Sequence, residues 1–280
     1  MKKQLFDNSS FLCSKIVTNT YSTSFSLAVK MLSPKIRSAI YGVYGFVRYA
    51  DEIVDTFHDY PKEELLNEFE AEYYTAMERG ISTNPIINAF QQVVKKYSIE
   101  DKLVRAFLKS MRMDLTKKEY LTDEEYREYI YGSADVVGLM CLRIFVNGDN
   151  QKYEQLKDTA MRLGSAFQKV NFLRDLKDDV ETLNRFYFPG VDLMSLDARS
   201  KKAIIDEIEL DFEVAFQGIK KLPVEAKFGV YTAFRYYRGL LLKLKRTKSE
   251  EIITSRIRIS NPHKVFLLSR SFVKYKLNLI

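Results

Sequence analysis

The chain has 280 residues, 46% of them hydrophobic, with only 11 Gly and 6 Pro, which allows a sizeable core and argues against wholesale disorder. Two cysteines argue against a disulfide framework, and with only two histidines a His/Cys zinc site is equally disfavoured. The net charge of +7 is uneven, because from Lys243 onward ten Lys/Arg stand against two Glu while the rest is close to neutral.

Taken in chain order, helical patterns dominate and hairpin signals are missing, so the chain is expected to be all-α. The start, MKKQLFDNSSF, has basic residues but no apolar leader segment, and no run of about 18 apolar residues predicts a membrane span. A cytoplasmic protein is expected, with Cys13 and Cys141 as buried thiols. A helix is predicted from Pro61 to Gly80, another from the Asn84 cap with Pro85 behind it, and a third from a capping box, Thr122 and Glu125, to about Gly148. A long helix follows over about 151–182, then a loop, then helices at roughly 200–221 and 224–246, and a last one beginning at NPHK. No linker or repeat divides the chain, so residues 1–280 are expected to form one domain with a basic terminal segment, about 243–280.

Two segments carry charge where a core helix should not. In YGVYGFVRYADEIVD, Tyr44, Arg48, Asp51 and Asp55 share one helical stripe, and Glu52 lies off it, free to reach water. Burying Asp51 and Asp55 together without a cation is costly, so Arg48 or a divalent metal should sit beside them. In GSAFQKVNFLRDLKDDVE, Gln168, Asn171, Asp175, Asp178 and Asp179 share a second stripe, with Gly164 leaving room beside it and Arg174 at its edge. One such acidic pair alone is usually a solvated helix face. Two pairs, each preceded by an Arg and each ending an apolar helix, point to carboxylates that hold a hard cation such as Mg2+, with Mn2+ as a substitute. Such ions can hold a diphosphate while a carbon ionises, and an aromatic cavity can shelter the cation.

The segments YSTSFSLAV, VRYADEIVD, YIYGSADVVGLM and FQKVNFLRDLKDDVETLNRFYFPG resemble, in order and spacing, the squalene/phytoene synthase family over roughly residues 15–245. The resemblance implies a single isoprenoid-synthase-type helical bundle around a central apolar cavity, a prenyltransferase that joins two prenyl diphosphates head to head with Mg2+. It implies metal binding by Asp51, Asp55, Asp175 and Asp179, with Asn171 among the metal ligands, and diphosphate contacts from Arg48 and Arg174. It places Ser22, Ser24 and Phe25 near the diphosphate and the cavity mouth, Tyr44, Tyr129, Gln168 and Tyr237 in the cavity, and Arg185 and Tyr187 on a flap after the second motif. Tyr21 and Thr23 stand where some relatives have His and Lys, and Asp135 where several have a small residue, which adds a carboxylate near the cavity.

Of the family's chemistries the phrase FVRYADEIVDTFHDY is most similar to bacterial phytoene synthases, which implies geranylgeranyl diphosphate as substrate and no NADPH. A squalene or dehydrosqualene synthase using farnesyl diphosphate is the sister reading. A head-to-tail synthase is disfavoured by Asp51-Glu52 in place of adjacent aspartates, and a non-catalytic scaffold by retention of all four aspartates. In the terminal segment Val265, Leu268, Phe272 and Tyr275 form one predicted stripe, which either docks on the body or touches an anionic membrane surface. Nucleic acid is not an expected partner.

Overall fold

A computed structural model describes residues 2–178, 185–191 and 196–277. Helices α1 (Lys2–Tyr21), α2 (Thr23–Lys30) and α3 (Pro34–Asp55) come first. They are followed by α4 (Lys62–Arg79), α5 (Pro85–Tyr97), α6 (Asp101–Thr116) and α7 (Asp123–Ile130). A π-helical turn, Tyr131–Asp135, runs from α7 into α8 (Val136–Phe145). Next come α9 (Asn150–Arg174), the short α10 (Leu176–Asp178), α11 (Ala198–Lys221) and α12 (Val224–Arg246), then α13 (Ser249–Thr254) and α14 (Asn261–Lys276). No strand occurs among the described residues, and the chain forms a single helical domain.

The helix signals act as local chemistry requires. The Asn84 side chain accepts from the backbone N–H of Ile86 and Ile87 with Pro85 at the first turn, and Thr122 and Glu125 close a reciprocal capping box. Gly80 ends α4 at φ 77°, a left-handed conformation that costs glycine nothing. Helix α3 is the central element, packed by α1, α4, α5, α6 and α8. Its fully buried Phe46 stacks on Phe90 at 4.0 Å and on Phe69 at 4.9 Å. On the other side α9 packs along α11, α8 and the π-turn, and α12 spans α2, α9, α11 and α14.

Three expectations change. The helix foreseen over 122–148 is interrupted by the π-turn, because backbone closes in on it from both sides. A Cβ on Gly132 would lie 2.7 Å from the Ala106 carbonyl, and one on Gly164 2.7 Å from the Ala134 carbonyl. The position that a side chain at Gly164 would take is therefore filled by the π-turn, while Gly164 also borders the cavity described below. The helix foreseen over 151–182 ends at Arg174: Asp175 is its C-cap at φ −98°, ψ 10°, before the single turn of α10. Last, α14 does not dock through the predicted stripe. Its seated residues are Leu267 and Ser271, with Tyr275 stacked on Phe228 at 5.0 Å, while Val265 and Phe272 stay exposed.

Candidate active site

A cavity of about 480 Å3 lies between α3, α8, α9 and α12, closed in part by α2, α6 and α11. Helix geometry makes its walls change character with depth. On α3, lining residues descend from Asp55 through Asp51, Arg48 and Tyr44 to Ile40. On α9 they descend from Asp175 through Asn171, Gln168 and Gly164 to Ala160 and Leu156. On α7, the π-turn and α8 they run Tyr129, Ser133, Val137, Cys141, Phe145. Successive turns of each helix thus present charge at one end and hydrocarbon at the other. Both acidic segments face this one space.

At the first acidic segment, protein surrounds Asp51 and its remaining exposure is to the cavity. Desolvation, then the neighbouring Asp55 charge, push its carboxyl up to about 8 against the pull of Arg48. The guanidinium of Arg48 bonds Glu52, so Glu52 is not the solvated bystander its position suggested; its side chain is 15% exposed. The tyrosine ring of Tyr21 stacks under Arg48, 4.4 Å from the guanidinium carbon. Tyr44 stacks on Phe25 at 4.8 Å, and burial pushes its hydroxyl up to about 12.

Asp114, which carries no signal of spacing to other acids, completes this end. It continues the buried stripe Leu103, Phe107, Ser110 of α6, and that is where a reading of periodicity could have found it. Tyr129 donates its hydroxyl to both Asp114 oxygens at 2.9 Å. Arg185 donates to Asp55 Oδ1 at 2.7 Å and to the Asp114 carbonyl at 2.9 Å, and lies 3.5 Å from Asp114 Oδ1. Burial raises the Asp114 carboxyl to about 7 despite Arg185. Burial also opposes the Arg185 charge, but Asp114, Tyr187 and Asp55 outweigh it and push that pKa up. Residues 185–188 are fastened to the wall. Phe186 exchanges backbone bonds with Lys118 and Tyr120, and Tyr187 stacks flat on Phe172 at 3.8 Å and against Tyr129 at 5.5 Å.

At the second segment, Arg174 holds Asp175 through its Nε at 2.7 Å. Arg256, between α13 and α14, reaches Asp175 Oδ1 at 2.7 Å and Asp178 Oδ2 at 3.6 Å, and lines the cavity. Nothing in the tail's diffuse charge excess marks Arg256 out. Asp179 lies outside the described residues. Two side-chain oxygens at the wall, Asn171 Oδ1 and Ser133 Oγ, are buried without a hydrogen-bond partner. Tyr237 stacks on Phe167 at 3.9 Å across the mid-cavity.

Not every expected residue reaches this space. Ser22 caps α2, accepting from the Phe25 N–H at 3.2 Å; neither Ser22 nor Ser24 lines the cavity, whereas Phe25 does. Asp135 is buried behind the wall, where it accepts from Ser165 Oγ at 2.6 Å. It therefore adds no carboxylate to the cavity surface. Among the described residues no three acidic, His or Cys side chains gather closely enough to hold one ion by themselves.

An all-helical body with a deep apolar hollow and acidic residues at one end is the build of isoprenoid synthases, and fold and relatives together make the chain a prenyltransferase. It belongs to the squalene/phytoene synthase family, whose model matches residues 18–263. The chain is 27% identical over 266 residues to a 15-cis-phytoene synthase of Paracoccus sp., covering 88% of this chain and 86% of that protein. It is 28% identical over 248 residues to a phytoene synthase of Pseudescherichia vulneris, covering 80% and 79%. Among solved structures, a dehydrosqualene synthase in complex with ligand superposes with a TM-score of 0.83 at 22% identity, over 96% of this chain and 98% of that one. The squalene synthase HpnC from Alicyclobacillus acidocaldarius gives 0.74, also at 22% identity, over 86% and 94%. At such identities the structural likeness speaks for the fold.

Proposed function

We propose that the protein condenses two molecules of geranylgeranyl diphosphate head to head, with Mg2+, to give phytoene, a carotenoid precursor. The observation that carries this reading is the single cavity onto which both acidic segments open, graded from charge to hydrocarbon. Phytoene synthases among the relatives favour this branch over its sisters.

The donor set suits Mg2+. That ion keeps waters and binds through one or two carboxylates plus substrate phosphates, so scattered pairs serve it better than a three-carboxylate cage. Asp51 with its raised pKa and the orphaned Asn171 Oδ1 are groups that a cation would satisfy. Asp51, Asp55, Asn171 and Asp175 would hold it, with Asp179 assigned by resemblance. When bound, Mg2+ supplies positive charge to the departing diphosphate.

The chain's own groups do the rest. Arg48, Arg174, Arg185 and Arg256 offer guanidinium donors to phosphate oxygens at the polar end. Loss of diphosphate from one substrate leaves an allylic cation, and a double bond of the second attacks it. Proton loss closes a cyclopropylcarbinyl diphosphate. A second ionisation opens and rearranges the ring, and a last proton loss leaves a central triene, which requires no hydride donor. Phe25, Tyr44, Phe167, Tyr187 and Tyr237 present ring faces to the cationic stages and keep water out. Along α9 the lining extends from Asp175 to Leu156, 19 positions or about 28 Å at ~1.5 Å per residue, a depth that suits the longer prenyl chain.

Product analysis tests the reading. Purified protein is incubated with Mg2+ and either geranylgeranyl or farnesyl diphosphate, with and without NADPH. A C40 triene from the longer substrate, independent of NADPH, is expected. A C30 product as the main outcome would overturn the substrate assignment, and bound but unconverted substrate would overturn catalysis altogether.

A further inference from the structure

Helix α14 is apolar on both sides. Its inner side seats Leu267 and Ser271 against α12, where Gly239 leaves space for the Leu267 methyl, and Tyr275 and the edge of Phe272 meet Phe228. Lys264 ties it to Thr23 of α2 at 3.1 Å. Its outer side carries Val265, Phe266, Phe272 and Val273, with Leu277 just beyond the last turn, all 48–62% exposed. At 3.6 residues per turn these five fall within an arc of about 140°. Arg270 edges that arc, Lys276 lies within it and Lys274 stands further round, and α14 contains no acidic residue.

A helix docked on a protein ordinarily turns its polar face outward. Here the outward face carries the larger exposed apolar side chains, and the charged residues on it and at its edge, Lys276 and Arg270, are cations. A second copy of the chain is a poor partner, because a two-fold contact through α14 would set Lys and Arg against Lys and Arg. No helix of the described residues is long and apolar enough to cross a membrane, and α14 has 16 residues, so it suits lying in an interface rather than spanning one. We infer that the outer face of α14 is a docking surface for a lipid bilayer containing anionic headgroups. Val265, Phe266 and Val273 enter the acyl boundary while Arg270 and Lys276 meet headgroup phosphates. This inference stands on the surface alone and does not depend on the reaction assigned to the cavity.

Vesicle co-sedimentation of the full chain tests it, with phosphatidylcholine vesicles and with vesicles of equal parts phosphatidylcholine and phosphatidylglycerol. Binding at least about tenfold stronger to the anionic vesicles is expected. The triple variant Val265→Ser, Phe266→Ser, Val273→Ser, which spares the packed Phe272, should lose at least about tenfold of that affinity while its circular-dichroism melt is unchanged. Arg270→Glu with Lys276→Glu should remove the anionic preference. Wild-type protein that stays in solution with both vesicles overturns the proposal, as does undiminished binding by a folded triple variant. A concentration-dependent dimer in light scattering that the triple variant abolishes would reassign the face to a second copy. If the triple variant melts early, the charge pair, whose side chains are exposed, decides: unchanged preference for anionic vesicles then overturns the proposal.

Discussion

Asp135→Asn should make the protein more stable at alkaline pH and leave it nearly unchanged in acid. Asp135 is 7% exposed, and burial raises its carboxyl from 3.8 to about 7 against the opposing pull of the Ser165 hydroxyl and the Lys169 charge. The folded state therefore binds the proton more tightly than the unfolded chain. Stability from this group is fully present below about pH 4, falls as pH rises through the window from about 4 to 7, and is absent above it. At ~1.36 kcal/mol per pH unit the loss amounts to about 4 kcal/mol as an upper bound. An asparagine keeps an oxygen for the Ser165 hydroxyl to donate to, but does not titrate. Urea melts of both proteins followed by circular dichroism at several pH values measure the stability gap between them. The change in that gap between pH 4 and pH 8 is the quantity of interest, since constant effects of the amide cancel. A gap that stays flat across this range, or one that narrows as pH rises, would refute the argument that Asp135 is buried and charged at a cost.

Other outcomes follow from the cavity walls. Asp51→Asn and Asp175→Asn should each lower product formation by at least about a thousandfold, with melting temperature kept or raised for the first because the fold no longer has to protonate a carboxyl that the unfolded chain ionises. Near-normal turnover in both would count heavily against the metal-holding role. Arg185→Gln leaves Asp114, whose side chain is 3% exposed, with the Tyr129 hydroxyl but without its cation, and should cost about 3–5 kcal/mol in chemical denaturation, part of it recovered by adding Asp114→Asn. Gly164→Ala drives a methyl to 2.7 Å from the Ala134 carbonyl and should cost about 1–3 kcal/mol in the same assay, since backbone on both sides must shift.

Much of the fold could be read from the chain because its signals are local. Asn84 with Pro85, Thr122 with Glu125, and Gly80 act within one helical turn, and each marks a helix end in the structure. The stripe Asp55, Asp51, Arg48, Tyr44 was legible for the same reason, since period alone places those residues on one face. What escaped depends on distant partners. The π-turn exists because α6 and α9 press their backbones against it, and nothing within Tyr131–Asp135 announces either neighbour. The helix break at Asp175 coincides with a tie to Arg256, about eighty residues later in the chain, whereas Glu52 is drawn in by Arg48 only one turn away, a local pair that the stripe alone did not reveal. The orientation of α14 was misjudged because two apolar arcs alternate on one short helix. Periodicity cannot say which arc finds Phe228 and Gly239.

Cys141 sits about three helical turns of lining below Tyr129 at the acidic mouth, and burial pushes its thiol up to about 12. At neutral pH its sulfur is thus held as S–H, not as thiolate. A catalyst that releases an electrophilic carbon inside itself is exposed to self-alkylation by any strong nucleophile along the path. A protonated, desolvated sulfur deep in the cavity is a poor one, so under the proposed reaction the same dryness that seats the hydrocarbon also spares the enzyme from its own intermediate.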